Sequence, residues 1–308
     1  MALISPAIRT EGGLLPADLL ARIHARDKDL PGLKPEDYRL PGGITINEAI
    51  NRSWSWLQSL WQKSSDLREQ AKAGAHLTAE TRRAWLEPLF QELGFGTMER
   101  ATAVTIEGDE YAISHRAGSV PVHLIGFGLD LDRKTAGAAH AARANPHGLL
   151  QDFLNRSDGH LWGIVANGLR LRLLRDHFSL TRQAYVEFDL ADIFESGSYP
   201  DFATLWMVCH QTRFTGENPK GWFIEQWTAI ASQVGTRALD QLRSGVERAI
   251  NHLGTGFLAH PANGDLLRRL HDGSLAKTDF YRQLLRLIYR LIFVFVADGN
   301  QAVAQLLN

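Results

Sequence analysis

One cysteine, three methionines and no long apolar run set the first limits on this chain of 308 residues. The lone Cys209 excludes an intrachain disulfide framework and suits a reducing cytoplasm, the expected location. It stands in the run Leu205-Trp206-Met207-Val208-Cys209, a core setting rather than a reactive one. The longest apolar stretch, Leu291 to Ala297, is far too short to span a bilayer, so no membrane partner is expected. The N-terminus carries no signal-peptide pattern. Excess charge of either sign is missing too. The formal charge of −1 removes the global signature of a nucleic-acid binder and leaves only a local basic patch open. His115, His123, His140, His147, His160 and His177 are scattered without zinc-ligand spacing, and no metal is assigned to them.

What is present is enough apolar material, 44% of residues, for a sizeable core. Its centre is a hairpin. Leu161 to Ala166 is apolar nearly throughout and reads as a central strand; Asn167-Gly168 is a tight-turn pair; the following strand alternates. Leu169, Leu171 and Leu173 face one way, and Arg170 and Arg172 the other. Arg133, Arg170, Arg172 and Arg175 are the candidate phosphate contacts, against the plainer reading of a solvated face.

Before the hairpin, helices are expected from Pro16, from an Asn47 cap with Ile50, Trp54, Leu57 and Trp61 on one face, and from Thr78 to Phe90. Trp54, Trp56 and Trp61 suit a helix buried against a partner more than a base-stacking platform. Ser65 to Leu77 is polar, a loose connection or a surface helix. After the hairpin, Tyr185 to Leu190 reads as an edge strand. Helices follow over Phe202–Gln211, Trp222–Gln233, Gly235–Leu253 and Thr278–Val296. The stretch Leu287 to Val296 is apolar almost all round and calls for burial on most sides. Either it is the centre of a helical bundle, or its partners lie in further sequence or another chain. The end Gln305-Leu306-Leu307-Asn308, with no polar tail, suggests a fragment.

Between these parts lie a hairpin around Gly108-Asp109, a strand from Val120 to Phe127, and a helix from Gly148. Helix, hairpin, strand, helix, hairpin is the order of a restriction-nuclease-like core. Such a core sets an acidic residue on one strand and a D/E-x-K pair on the next, to hold a divalent metal and position water. Asp109 or Glu110 with Asp132 and Lys134 satisfies the letters. The literal pair lies past the strand end, however, and the place where it should stand reads Leu124-Ile125-Gly126-Phe127-Gly128. The expected fold is therefore α+β: a degenerate nuclease-like mixed sheet with helices, followed by a helical domain. The expected segments are 1–97, 98–191 and 192–308.

The motifs Leu30-Pro31-Gly32-Leu33, Ser114-His115-Arg116-Ala117-Gly118, Gly128-Leu129-Asp130-Leu131-Asp132-Arg133, Phe153-Leu154-Asn155-Arg156-Ser157, Trp162 to Asp176 and Tyr281 to Asp298 together carry a resemblance. The chain resembles the N-terminal region of large DNA adenine methyltransferases of phage-defence and restriction-modification systems, most closely the DISARM-type methylase. That resemblance implies a non-catalytic module that docks double-stranded DNA, other defence subunits or a methylase domain. The adenine-gripping Asn-Pro-Pro-Tyr/Phe motif is missing, because Asn145-Pro146-His147 and Asn218-Pro219-Lys220 lack the second proline and the aromatic. No cofactor is expected in this chain, and S-adenosylmethionine would belong to the methylase domain. The competing readings are a magnesium-dependent nuclease and a purely protein-interaction module.

Overall fold

The computed structural model describes residues 5–137, 141, 144–176 and 184–306, without the side chains of 236–240 and 296–306. His140, His177 and the side chains of Arg237, Leu239 and Val296 therefore lie outside the described residues. The chain divides into two compact units, Met1–Ala231 and Ser232–Asn308.

The first unit is built on strands β1 (Ile8–Glu11), β2 (Glu99–Arg100), β3 (Val104–Ile106), β4 (Asp109–Tyr111), β5 (His115–Ala117), β6 (Val120–Leu124), β7 (Trp162–Ala166), β8 (Arg170–Arg175) and β9 (Tyr185–Asp189). Its helices are α1 (Ala17–His24), α2 (Ile46–Lys63), α3 (Ser65–Lys72), α4 (Thr78–Thr81), α5 (Glu87–Glu92), α6 (Pro146–Arg156), α7 (Leu190–Ser196) and α8 (Tyr199–Cys209), with the start of α9 (Phe223–Ala259). Seven strands form one mixed sheet in the order β1-β9-β8-β7-β6-β5-β2, and β3 with β4 makes a separate ribbon. Among the described residues only β6 and β7 run parallel, with α6 between them in the chain. The class is α+β, as the sequence pattern requires.

β7 is central because every residue in it is buried. Trp162, Ile164 and Ala166 enter the larger core with Leu171 and Leu173 of β8, against residues of α2, α7 and α8. Val165 and Leu174 face the other way, into a smaller core with Leu150, Phe153 and Leu154 of α6. The β7–β8 loop turns on Gly168, the one residue in it with positive φ (+87°). Asn167 folds its side chain over the loop: Oδ1 accepts from Leu169 N–H (3.0 Å) and Arg170 N–H (2.8 Å), and Nδ2 donates to the Leu129 carbonyl (2.8 Å).

Some expectations are corrected, and others are decided between their alternatives. Tyr185–Asp189 is not an edge strand, because β1 pairs with it from Ile8↔Phe188 to Glu11↔Tyr185. Four residues of β1 are too few to show a period. The α2 cap is Thr45, whose hydroxyl accepts from Glu48 N–H (3.2 Å) while Glu48 accepts from Thr45 N–H (2.7 Å). Ser65–Lys72 is a helix. Between α4 and α5 the backbone makes a π turn, Arg82–Leu86, just before Pro88, which has no N–H to give a carbonyl one turn back. Trp54 and Trp61 pack on Phe194 at 5.3 and 5.6 Å between ring centroids, Trp61 within the core and Trp54 against it, whereas Trp56 is exposed.

The second unit holds the rest of α9 with α10 (Gly264–His271) and α11 (Lys277–Leu306). The two helices expected from Trp222 and Gly235 are one continuous helix, α9. In α11, Leu284 and Ile288 are buried, but Tyr289, Phe293 and Phe295 are 64%, 75% and 70% exposed. Its apolar stretch is not the centre of a bundle formed by the described residues.

Candidate functional site

The period of β8 places Arg172 on the α6 side of the sheet, one strand from Glu187. Both side chains are almost wholly buried, at 3% and 4% exposure, and Arg172 Nε donates to Glu187 Oε2 at 2.5 Å. The outer edge of the guanidinium meets Asp132 in a forked pair, Nη1 to Oδ1 at 2.6 Å and Nη2 to Oδ2 at 2.8 Å. Nη1 also lies 3.1 Å from His147 Nδ1, and the guanidinium stacks 4.7 Å from the Tyr185 ring centroid. An arginine can only donate, so His147 Nδ1 accepts and its proton sits on Nε2.

The electrostatics follow. Hydrogen bonds from Arg172 hold the Asp132 carboxyl below its ordinary range. Burial, with the Arg172 charge added, pushes His147 down to about 4. Burial opposes the charge on Arg172, but the bonds to Asp132 and the charge of Glu187 outweigh it and hold its pKa above the ordinary value. The cluster is a closed ion network.

The sequence-expected residues fall into place around it. Arg172 is not available to DNA, since its donors are taken by two carboxylates and it is buried. Arg175 is clamped by Glu225 through Nε (2.7 Å) and Nη2 (2.9 Å), and Arg170 stands 3.8 Å from Asp189. The expected row of free guanidinium groups on this hairpin is thus a row of paired ones. Arg133 and Lys134 are exposed on the loop after β6. Asp109 accepts from Arg156 of α6 at 2.8 Å, and Glu110 is exposed on β4. Asp109 and Asp132 are therefore held by different arginines on different elements. Among the described residues no group of three or more His, Cys, Asp or Glu side chains is arranged to hold a metal ion. With both Asp132 oxygens on Arg172, these residues do not fit a divalent cation.

The place where a D/E-x-K pair would stand is closed by backbone. A Cβ at Gly126 would lie 1.8 Å from the His76 carbonyl oxygen, and one at Gly128 2.2 Å from that of Ala75. The chain leading into α4 occupies the space that side chains would need.

Sequence reasoning missed a second feature. A cleft of about 470 Å³ opens between the π turn and β2, lined by Glu80, Arg82, Arg83, Glu87, Arg100 and Ser114. Arg82 is fixed there by donating from Nε to the Leu124 carbonyl at 2.9 Å, with Nη2 on the same oxygen. Burial first, and then the charge of Arg100, lower its pKa. The side chains of Arg83 and Arg100 are exposed and make no hydrogen bond or ion pair among the described residues. The Ser114 hydroxyl is occupied, donating to Val122 O (3.2 Å) and accepting from Leu124 N–H (2.8 Å). No local pattern announces this cleft, because its arginines come from a helix and a two-residue strand that only the fold brings together. No family model, curated protein or solved structure matches this chain.

Proposed function

We propose that this chain is a non-catalytic module of a DNA adenine methyltransferase in phage defence, serving DNA docking or complex assembly. The observation that carries the non-catalytic reading is the closure of the strand end at Gly126 and Gly128 by the backbone of Ala75 and His76. A carboxylate and a lysine cannot stand there unless that segment moves. The order of three antiparallel strands β2-β5-β6, helix α6 and parallel strand β7 supports a nuclease-like ancestry for the sheet. Arg83 and Arg100, whose side chains are unpaired among the described residues, support the docking role. The exposed Phe293 and Phe295 of the second unit support assembly.

The test is binding of the purified chain to short duplex DNA across a salt series, with magnesium and with a chelator. Binding that weakens steeply with salt and leaves the duplex intact supports docking. Magnesium-dependent cleavage lost in Asp132→Ala overturns the non-catalytic reading. Absence of binding transfers the role to protein assembly.

A further inference from the structure

Three places on the first unit gather cations, and they differ in what those cations already hold. On the β8 hairpin each arginine has a carboxylate partner. In the cleft beside Asp130, Lys72 is paired with Glu69, Arg170 faces Asp189, and Arg68 donates to the Trp61 carbonyl and the Ser64 hydroxyl. Only the cleft between the π turn and β2 combines one anchored guanidinium, Arg82, with two that have no partner among the described residues, Arg83 and Arg100.

We propose that this cleft is a phosphate site, in which Arg82, Arg83 and Arg100 contact the oxygens of a nucleic-acid backbone phosphate. The proposal rests on the docking reading above and assigns it a place. Three features carry it. Arg82 is held in position by the Leu124 carbonyl through Nε and Nη2, which leaves Nη1 to donate. Arg82, Arg83 and Arg100 outnumber Glu80 and Glu87 on the lining, and the Arg100 charge weighs on Arg82 more than that of Glu87 offsets it, so an anion between the guanidinium groups relieves the repulsion. The lining contains no aromatic ring that could stack a base, so recognition stops at the phosphate. Glu80 and Glu87 on the same lining limit the site to one phosphate. Arg100 also lines the neighbouring cleft, but there Arg116 is paired with Glu99 and burial lowers the His160 pKa, so the site ends at Arg100.

The experiment is fluorescence anisotropy of a labelled duplex with the full chain, comparing wild type, Arg83→Ala, Arg100→Ala, the double variant and Arg170→Ala. Arg83 and Arg100 are exposed and without partners, so their removal leaves the fold intact, which circular dichroism checks. A second arm measures thermal stabilisation by inorganic phosphate against chloride at matched ionic strength. The double variant is expected to lower the log–log salt slope by about one, the share of a single phosphate, and each single variant by less, with Arg170→Ala unchanged. Duplex binding that is the same in the double variant as in wild type overturns the site and leaves docking standing. Absence of duplex binding, with phosphate stabilising wild type but not the double variant, upholds the site for free phosphate and overturns docking. Absence of both responses overturns both.

Discussion

Removing Arg172 should injure the fold rather than a DNA contact. Arg172 and Glu187 are each less than 5% exposed, so Arg172→Ala leaves a buried carboxylate with no counter-charge. Breaking a buried pair from one side costs about 3–5 kcal/mol, because the remaining charge keeps its desolvation penalty. Asp132 is 46% exposed and can turn to water, so it adds little. His147 Nδ1 loses its donor as well. In urea unfolding followed by tryptophan fluorescence, the midpoint should fall by at least about 1 M, given slopes of about 1–3 kcal/mol per molar. Replacing both partners, Arg172→Met with Glu187→Leu, should recover most of the loss, since no charge is then stranded. Asp132→Ala alone should cost about 1 kcal/mol or less. If Arg172→Ala unfolds within about 1 kcal/mol of wild type yet abolishes duplex binding, the reasoning is refuted and Arg172 is a ligand contact.

Acid should weaken the first unit through His147. Unfolded, this imidazole takes a proton near 6.5; folded, burial and the Arg172 charge outweigh the pull of Asp132 and delay protonation to about 4. Between those values the unfolded state binds more protons, so stability falls as pH drops, by about 3 kcal/mol in full. His147→Gln should flatten that slope in urea midpoints taken from pH 7 to 4, and an unchanged slope would refute the assignment. Gly126→Ala should be destabilising by at least about 2 kcal/mol, because its methyl carbon meets the His76 carbonyl oxygen, and a normal melting temperature would show that the 75–78 segment yields freely. Cys209 is buried, and burial pushes its thiol well above the ordinary value; a thiol reagent should label it only in denaturant, and rapid labelling of the native chain would contradict its place in α8.

How much was legible depended on how local the cause was. The central hairpin could be read because apolar β7, the Asn167-Gly168 turn and the alternation of β8 lie within one short stretch. The fate of its arginines could not, since Asp132, His147, Glu187 and Glu225 come from a loop, two helices and a strand elsewhere in the chain. Gly126 and Gly128 marked a strand end in sequence, but the reason for them is a backbone segment more distant in the chain. The edge position given to Tyr185–Asp189 failed because β1 is too short to show a pattern. The arginine cleft was invisible for the same kind of reason: Arg82, Arg83 and Arg100 are an unremarked pair and a single residue until the sheet edge meets the π turn.

The side chain folded over the β7–β8 loop also bears on how the protein ages. An Asn followed by Gly is the sequence most prone to lose its amide, because the next backbone nitrogen attacks the side-chain carbonyl carbon. Here the Asn167 oxygen is held by two amide N–H groups and its nitrogen by the Leu129 carbonyl. The folded chain thus keeps this labile amide out of reach of attack, while an unfolded or newly made chain has no such guard. Conversion to Asp would remove the donor to Leu129 and set a negative charge against that carbonyl. Peptide mapping of native and urea-held samples stored side by side should show the change accumulating in the unfolded one; equal rates would mean that the loop opens too often to protect it.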